Sequence, residues 1–348
     1  MKSASVISIF IALVLIVSGV FLCAKARSMA PNDEAIDGNT VVKNGRVVTD
    51  VLLTGQTFSN VNINVKDCKV EIHGNSETSY VSFINFNENT YVASSSENTL
   101  TISNKISLLD FINFDGTGVK FSGVWKTLRS FFSYDTSKGD QEIHIYLAKD
   151  AEISKINVNG SEKANIRALD ISYDCDLSFT VNNSTIEVSN ANAGVMTLGG
   201  SKAKISVANV NVTSFEYLAT DTNFTSHNVI TENLIVDTKS SNISLLNTEF
   251  RNLTTTLESG DFVLSTKYDV SSYFRNIEIQ EGEILRNDTP IGQKDVSPEE
   301  LFDTLPGNIS VSVGSGKISM TFGTDILPPK VTDEQSPDQN PPEAPGIQ

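Results

Sequence analysis

The stretch "TLESGDFVLS", residues 256–265, has the composition of a β-strand, yet its two large apolar residues, Leu257 and Phe262, stand five apart. Successive side chains of a strand alternate between faces, so an odd spacing sends these two to opposite sides. A bend at Ser259-Gly260-Asp261 removes the contradiction. The strand arrives with its apolar side inward, turns around a small residue, and leaves with its apolar side inward again. Glycine and serine suit such a bend because it needs unusual dihedrals and leaves little room inside.

The same five-residue step joins Val65 to Val70, Val181 to Ile186, Leu198 to Ala203, Ala219 to Phe224, Thr238 to Ile243, Ile279 to Ile284 and Val313 to Ile318. Two before the second member of each pair, counting Phe262, stand Cys68, Ser184, Ser201, Thr222, Ser241, Gly260, Gly282 and Gly316, all small. The residue between is Lys69, Thr185, Lys202, Asn223, Asn242, Asp261, Glu283 or Lys317, all polar. From Ile186 to Ile284 the second members recur at intervals of 17, 21, 19, 19 and 22 residues. A period near 20 of short strands and corners predicts stacked repeats, each burying its apolar side on its neighbours. The interval from Ile284 to Ile318 is 34, room for an excursion carrying "SPEELFDTL" (297–305). Near Ala164 the pattern fits less well, because Glu162 takes the small-residue position. The expected fold class is therefore all-β, a β-solenoid-like stack of ~20-residue repeats. An antiparallel meander or sandwich of the same strands is the alternative.

The rest of the 348-residue chain divides by composition. "SVISIFIALVLIVSGVFLCA", residues 5–24, is an uncharged run long enough to cross ~30 Å of hydrocarbon as a transmembrane helix. Ala24-Lys25-Ala26 resembles a cleavage site, so a signal peptide competes with an anchor, but the run exceeds a usual signal core. Residues 1–24 are thus expected as a membrane anchor or uncleaved signal, with 25–50 a polar stalk. Lys25 and Arg27 after the span against Lys2 before it bias the orientation weakly the other way. Long domains translocate largely regardless of such charges, so the body, residues 51–323, is expected outside the cell membrane. Residues 324–348, rich in proline and acid, are expected as a disordered tail. The helix candidates are few. "SPEELFDTL" has Ser297 as N-cap, Pro298 at the first position and Glu300 completing a capping box; "VWKTLRSFF" (124–132) is the second. "VNINVKDCKVEI" (61–72), "YVASSSENTLTIS" (91–103) and "EIHIYLA" (142–148) are predicted strands of a terminal unit. The aromatic-rich excursion at 104–134 either caps the open end of the stack or touches lipid or a partner.

The net charge of −16, from 42 acidic and 26 basic residues, argues against a duplex nucleic-acid binder and against docking on anionic lipid. Apart from Cys23 in the apolar run, the cysteines are Cys68 and Cys175, without metal spacing; buried free thiols and a single disulfide are the two readings. His73, His144 and His227 are far apart and lack ligand spacing, and His144, between Ile143 and Ile145, is expected on a solvent face. The small-plus-polar columns carry Asp261 and Glu283 but also Lys69, Lys202 and Lys317, a mixture unsuited to a ladder of metal ions. No catalytic, cofactor-binding or metal residue is singled out.

The phrases "VNINVKDCKVEI", "ENTLTIS", "EIHIYLAKDAEISKINVNG", "ESGDFVL" and "GSGKISM" resemble the DUF4097 putative-adhesin family of bacterial envelope proteins over roughly residues 55–323. The family's recurrent Ser-Ser-Gly-Asp-(Val/Ile) is kept best by "ESGDF". Leu147-Ala148-Lys149 departs from the Leu-Pro-Lys usual in the third strand, and corners such as "NSTIEV", "SKAKIS" and "SSNIS" have drifted. The resemblance implies a β-solenoid-like fold at a cell surface and brings no catalytic residues. The expected function is a non-enzymatic, membrane-anchored surface scaffold or putative adhesin whose lateral face binds a protein or an envelope polymer. The alternatives are an envelope-stress or regulatory partner acting through 104–134, and a carbohydrate-active enzyme. The last requires carboxylates converging on adjacent coils.

Overall fold

The computed structural model describes residues 35–37, 40–43, 46–53, 58–86, 91–96, 98–104, 113–115, 118–120, 141–302 and 304–328. The apolar span 5–24, the helix candidate 124–132 and the tail beyond Pro328 lie outside these residues. So does the aromatic-rich excursion, apart from its first residue and a short antiparallel hairpin, Asn113–Asp115 with Gly118–Lys120. Among the described residues no helix is long and apolar enough to cross a membrane.

The described residues are all-β, and their body is a stack of parallel strands. Strand Lys204–Thr220 shows one full coil. Its pairing to the next coil breaks at Asn209 and Thr213, giving three walls, Lys204–Ala208, Val210–Val212 and Ser214–Thr220, and Asp221 ends the last. Ile205, Val207, Val210, Val212, Phe215 and Tyr217 point into the coil and are at most 3% exposed. Each coil hydrogen-bonds to the next in register, so apolar columns form without side-chain slippage. One column runs Val70, Ile166, Ile186, Ile205, Phe224, Ile243, Phe262.

Burial resolves the reversal of faces at residues 257–262. Leu257 and Phe262 are both about fully enclosed, at 1% and 0% exposure, on either side of the corner. Cys68, Ala164, Ser184, Ala203, Thr222 and Ser241 occupy the inside of this corner in successive coils and are all buried. In five of them the residue before is left-handed: Asp67, Lys163, Asn183, Lys202 and Asp221 have φ of 50–71°.

Two expectations about this column are corrected. The partner of Ile186 is Ile205, not Ala203, so the step from Leu198 to Ala203 is not a wall-to-wall step. Ala203 is the small residue inside the bend, and Ile186, Ile205, Phe224, Ile243 and Phe262 follow at a constant 19. The coil near Ala164 also fits. Glu162 and Lys163 carry the positive φ of the turn, and Ala164 fills its inside.

Both ends of the stack depart from sequential order. Strand Gly307–Asp325 lies between Asn252–Tyr268 and Tyr273–Arg286, parallel to each. Ile318 therefore stacks between Phe262 and Ile284, instead of following Ile284. The excursion that makes this possible is an edge cover, since Thr289–Gly292 and Lys294–Val296 pair antiparallel with Tyr273–Arg286. "SPEELFDTL" contributes only a 3-10 turn, Glu299–Leu301. Its capping box does not form, because the Ser297 hydroxyl, 4% exposed, accepts the backbone N–H of Arg275 at 3.0 Å.

At the other end, Lys69–Ser76 pairs parallel with Glu142–Ala148, which pairs antiparallel with Tyr80–Ile84. Asn60–Lys66 carries Thr99–Asn104, the second strand of the hairpin begun by Tyr91–Ser96. Within the segment expected as a stalk, the described residues are strand: Arg46–Leu52 pairs with Tyr80–Ile84, and Thr40–Lys43 and Ala35–Asp37 extend from it. At the C-terminal boundary the order also runs further than expected. Leu327 is 5% exposed, and its N–H donates to Ser272 at 3.1 Å.

Candidate functional site

Two features of the outer surface concentrate polar groups. The first is the outside of the glycine-and-serine corner. The left-handed residues Lys163, Asn183, Lys202 and Asp221 and the residues that follow the buried small ones, Asn165, Thr185, Lys204 and Asn223, line a shallow open groove of about 560 Å³. The groove crosses four coils. Its floor is fixed by backbone bonds between coils, Asn183 N–H to Ser201 O at 2.9 Å and Lys202 N–H to Thr220 O at 3.0 Å. Three lysines face one aspartate there, on a chain whose net charge is −16.

A row of asparagines at the next corner reinforces the same stack. Asn190, Asn209, Asn228 and Asn247 have φ of 49–55°, with Asp170 before them at 54°. Each amide donates to the side chain one coil below: Asn190 to Asp170 at 2.9 Å, Asn209 to Asn190 at 3.1 Å, Asn228 to Asn209 at 3.0 Å and Asn247 to Asn228 at 2.5 Å. Asparagine tolerates the left-handed conformation, so one residue type supplies both the turn and the ladder. The sequence reading missed this row, whose signal was asparagine recurring every 19 residues in an asparagine-rich chain.

The second feature lies at the N-terminal end of the stack. Lys69–Ser76 and Glu142–Ala148 run side by side with Glu71 opposite His144 and His73 opposite Tyr146. Alternation turns Val70, Ile72, Ile143 and Ile145 inward, so Glu71, His73, Glu142 and His144 share the outer face. His73 and His144 are therefore brought together, and His227 is not. The side chains are partly enclosed: 9% exposed for Glu71, 11% for Glu142, 16% for His144 and 24% for His73. Glu71 Oε2 is 3.3 Å from His73 Nε2 and 3.5 Å from His144 Nδ1, while Glu142 Oε2 lies 2.8 Å from His144 Nε2. Lys69 Nζ sits 2.8 Å from Glu71 Oε1 and 3.9 Å from Glu142 Oε2, and Arg167 approaches Glu71 Oε1 at 3.7 Å. Burial alone would raise the Glu71 pKa; the hydrogen bond from Lys69 and the charges of His144, Lys69 and His73 outweigh it and hold the carboxyl below its usual range. Tyr146 stacks on His73 at 4.8 Å and Tyr80 on Tyr146 at 4.3 Å, closing one side of the patch.

Elsewhere the groups are structural. Cys68 and Cys175 are unpaired and buried, and desolvation pushes both thiols up to about 12. Asp261 and Glu283 flank Lys317 in the corner column, with Lys317 Nζ 3.2 Å from Glu283 Oε1, so that column is mixed in charge as read from the sequence. Glu71 and Glu142, the two carboxylates of the histidine patch, lie on a sheet face and are tied to lysine and histidine.

The features together define a parallel β-solenoid with edge covers at both ends and polar lateral surfaces. The Toastrack DUF4097 family model matches residues 58–285, and the chain belongs to that family. Among solved structures it is similar to a putative lipid binding protein from Parabacteroides distasonis, at 13% identity and TM-score 0.49, covering 80% of this chain and 97% of that one. A putative adhesin from Bacteroides fragilis is 9% identical with TM-score 0.42, covering 80% and 98%. A putative adhesin from Parabacteroides merdae is 11% identical with TM-score 0.39, covering 80% and 97%. No curated protein matches the chain.

Proposed function

We propose that this protein is a non-enzymatic scaffold of the cell surface, an adhesin in the broad sense, held to the membrane through residues 5–24 with the β-body outside. The observation that carries the binding role is the corner groove. Of its lysines, Lys163 and Lys202 hold the same corner position two coils apart, with Asn183 between them, and Lys204 lies beside Lys202, all on a floor tied by the backbone ladder. Cations clustered on a rigid backbone fit an extended anionic polymer of the envelope, because no backbone ordering is needed on the protein side. The acidic remainder of the surface steers such a polymer to this one stripe.

The binding test is co-sedimentation of the full-length protein with purified anionic envelope polysaccharide over a range of salt. Binding is expected to weaken with salt and to fall at least tenfold when Lys163, Lys202 and Lys204 are all changed to glutamine. Retention that ignores both salt and the triple substitution would overturn the groove as the binding surface. Placement is tested separately by adding protease to intact cells that produce the full-length chain. The body should be degraded along with a known surface protein; its survival would reverse the orientation.

A further inference from the structure

Outside the groove, the surface feature with the most specific chemistry is the patch formed by Glu71, His73 and His144. We infer that these three residues bind a divalent transition metal ion, of which Zn²⁺ is the representative, with Glu142 orienting His144. One ligand atom from each of the three lies within 4.8 Å of the other two. Zinc bonds of about 2.0–2.2 Å to nitrogen and oxygen put tetrahedral neighbours roughly 3.3–3.5 Å apart. Glu71 Oε2 already stands at 3.3 Å from His73 Nε2 and 3.5 Å from His144 Nδ1. The donor set, two imidazoles and one carboxylate, favours zinc and its neighbours over magnesium or calcium, which take oxygen ligands.

The surroundings of the patch match what a ligating histidine needs. With Nδ1 of His144 facing the ion, its Nε2–H donates to Glu142 at 2.8 Å, which fixes the tautomer and raises the basicity of the ligating nitrogen. His73 is held by its stack on Tyr146, itself stacked on Tyr80. Both ligand strands are internal to the sheet, Lys69–Ser76 between Asn165–Leu169 and Glu142–Ala148, and the latter bordered by Tyr80–Ile84. Lys69 and Arg167 face Glu71 from its own and the adjoining strand and engage Oε1. They leave Oε2 to the metal and limit Glu71 to one bond. Three protein ligands leave the fourth position to water or to a donor group of a partner.

Histidine modification in the full-length protein tests this without relying on a variant. Diethylpyrocarbonate is applied with and without Zn²⁺, and the extent of reaction at each histidine is read by peptide mass spectrometry. Zn²⁺ is expected to slow modification of His73 and His144 at least fivefold and to leave the exposed His227 unchanged, while Ca²⁺ protects neither. Calorimetric titration should give one Zn²⁺ per chain, weakened at least tenfold by His73→Gln or His144→Gln and unaffected by His227→Gln. Equal protection of all three histidines, protection of none, or equal protection by Ca²⁺ would overturn the site. None of these results bears on polymer binding at the corner groove.

Discussion

Gly260 adopts φ 124°, and a Cβ there would overlap the backbone carbonyl oxygen of Ser241 in the coil below. Gly316, stacked on it, would collide in the same way with the Gly260 carbonyl. Gly260→Val therefore combines overpacking with a dihedral that a β-branched residue rarely takes, and is expected to cost about 2–4 kcal/mol in urea denaturation. Asp261 next to it points outward; Asp261→Asn should stay within about 0.5 kcal/mol. Lysine at 261, which the recurrence of lysine in this column invites, would stand beside Lys317 in the adjacent coil and cost more than asparagine. A tolerant Gly260 would remove the corner from its place inside the stack. At the second corner, Asn209→Ala has to hold φ 54° without the side chain that makes it acceptable, a loss of about 1–2 kcal/mol. Asn209→Gly keeps the turn and loses only the ladder, so it should cost less; equal losses would credit the ladder alone. Cys68 and Cys175, with thiols pushed up to about 12 by burial, should resist iodoacetamide at pH 8 until the protein is unfolded. Rapid alkylation of either in the native state would show that it is not in the core.

The legibility of the elements follows from how local their causes are. The corner was readable at Leu257 and Phe262 because a face reversal within five residues is visible in any window that contains it. At Ala203 and Ala164 the same spacing stops two residues short of the wall residues Ile205 and Ile166, since alanine serves equally as wall or as corner and only the neighbouring coil decides. Ser297 shows the opposite failure: a full set of helix-start residues is present, but Arg275 claims the hydroxyl and the segment is used as edge cover. The pairing of His73 with His144 was invisible because nothing between residues 76 and 142 marks their strands as neighbours. Element boundaries give a further test at the C-terminus. Deleting residues 329–348 should leave the melting temperature unchanged, whereas deleting 325–348 removes buried Leu327 and should lower it by several degrees. Equal effects would mean that Leu327 contributes nothing to the closing coil.

At the scale of the molecule, the decisive feature is that the chain overshoots and returns. It lays Tyr273–Arg286 at the edge, covers that edge with an antiparallel hairpin, and threads Gly307–Asp325 into the layer beneath. An exposed edge of parallel strands is a template for aggregation, and a cover of this kind removes it. Among the described residues, the lateral surfaces carry the corner groove and the histidine patch. Order within the stack is what separates this arrangement from a simple sequential solenoid, and cysteine cross-linking reads it directly. Adjacent strands stand about 4.8 Å apart, within reach of a disulfide, whereas strands two layers apart, at roughly 9.6 Å, are beyond it. In a Cys23→Ser background, Asp261→Cys combined with Lys317→Cys should oxidise readily to an intramolecular disulfide in the native protein, and Asp261→Cys combined with Glu283→Cys should not. A disulfide between 261 and 283, with none between 261 and 317, would contradict the inserted closing strand and restore sequential stacking.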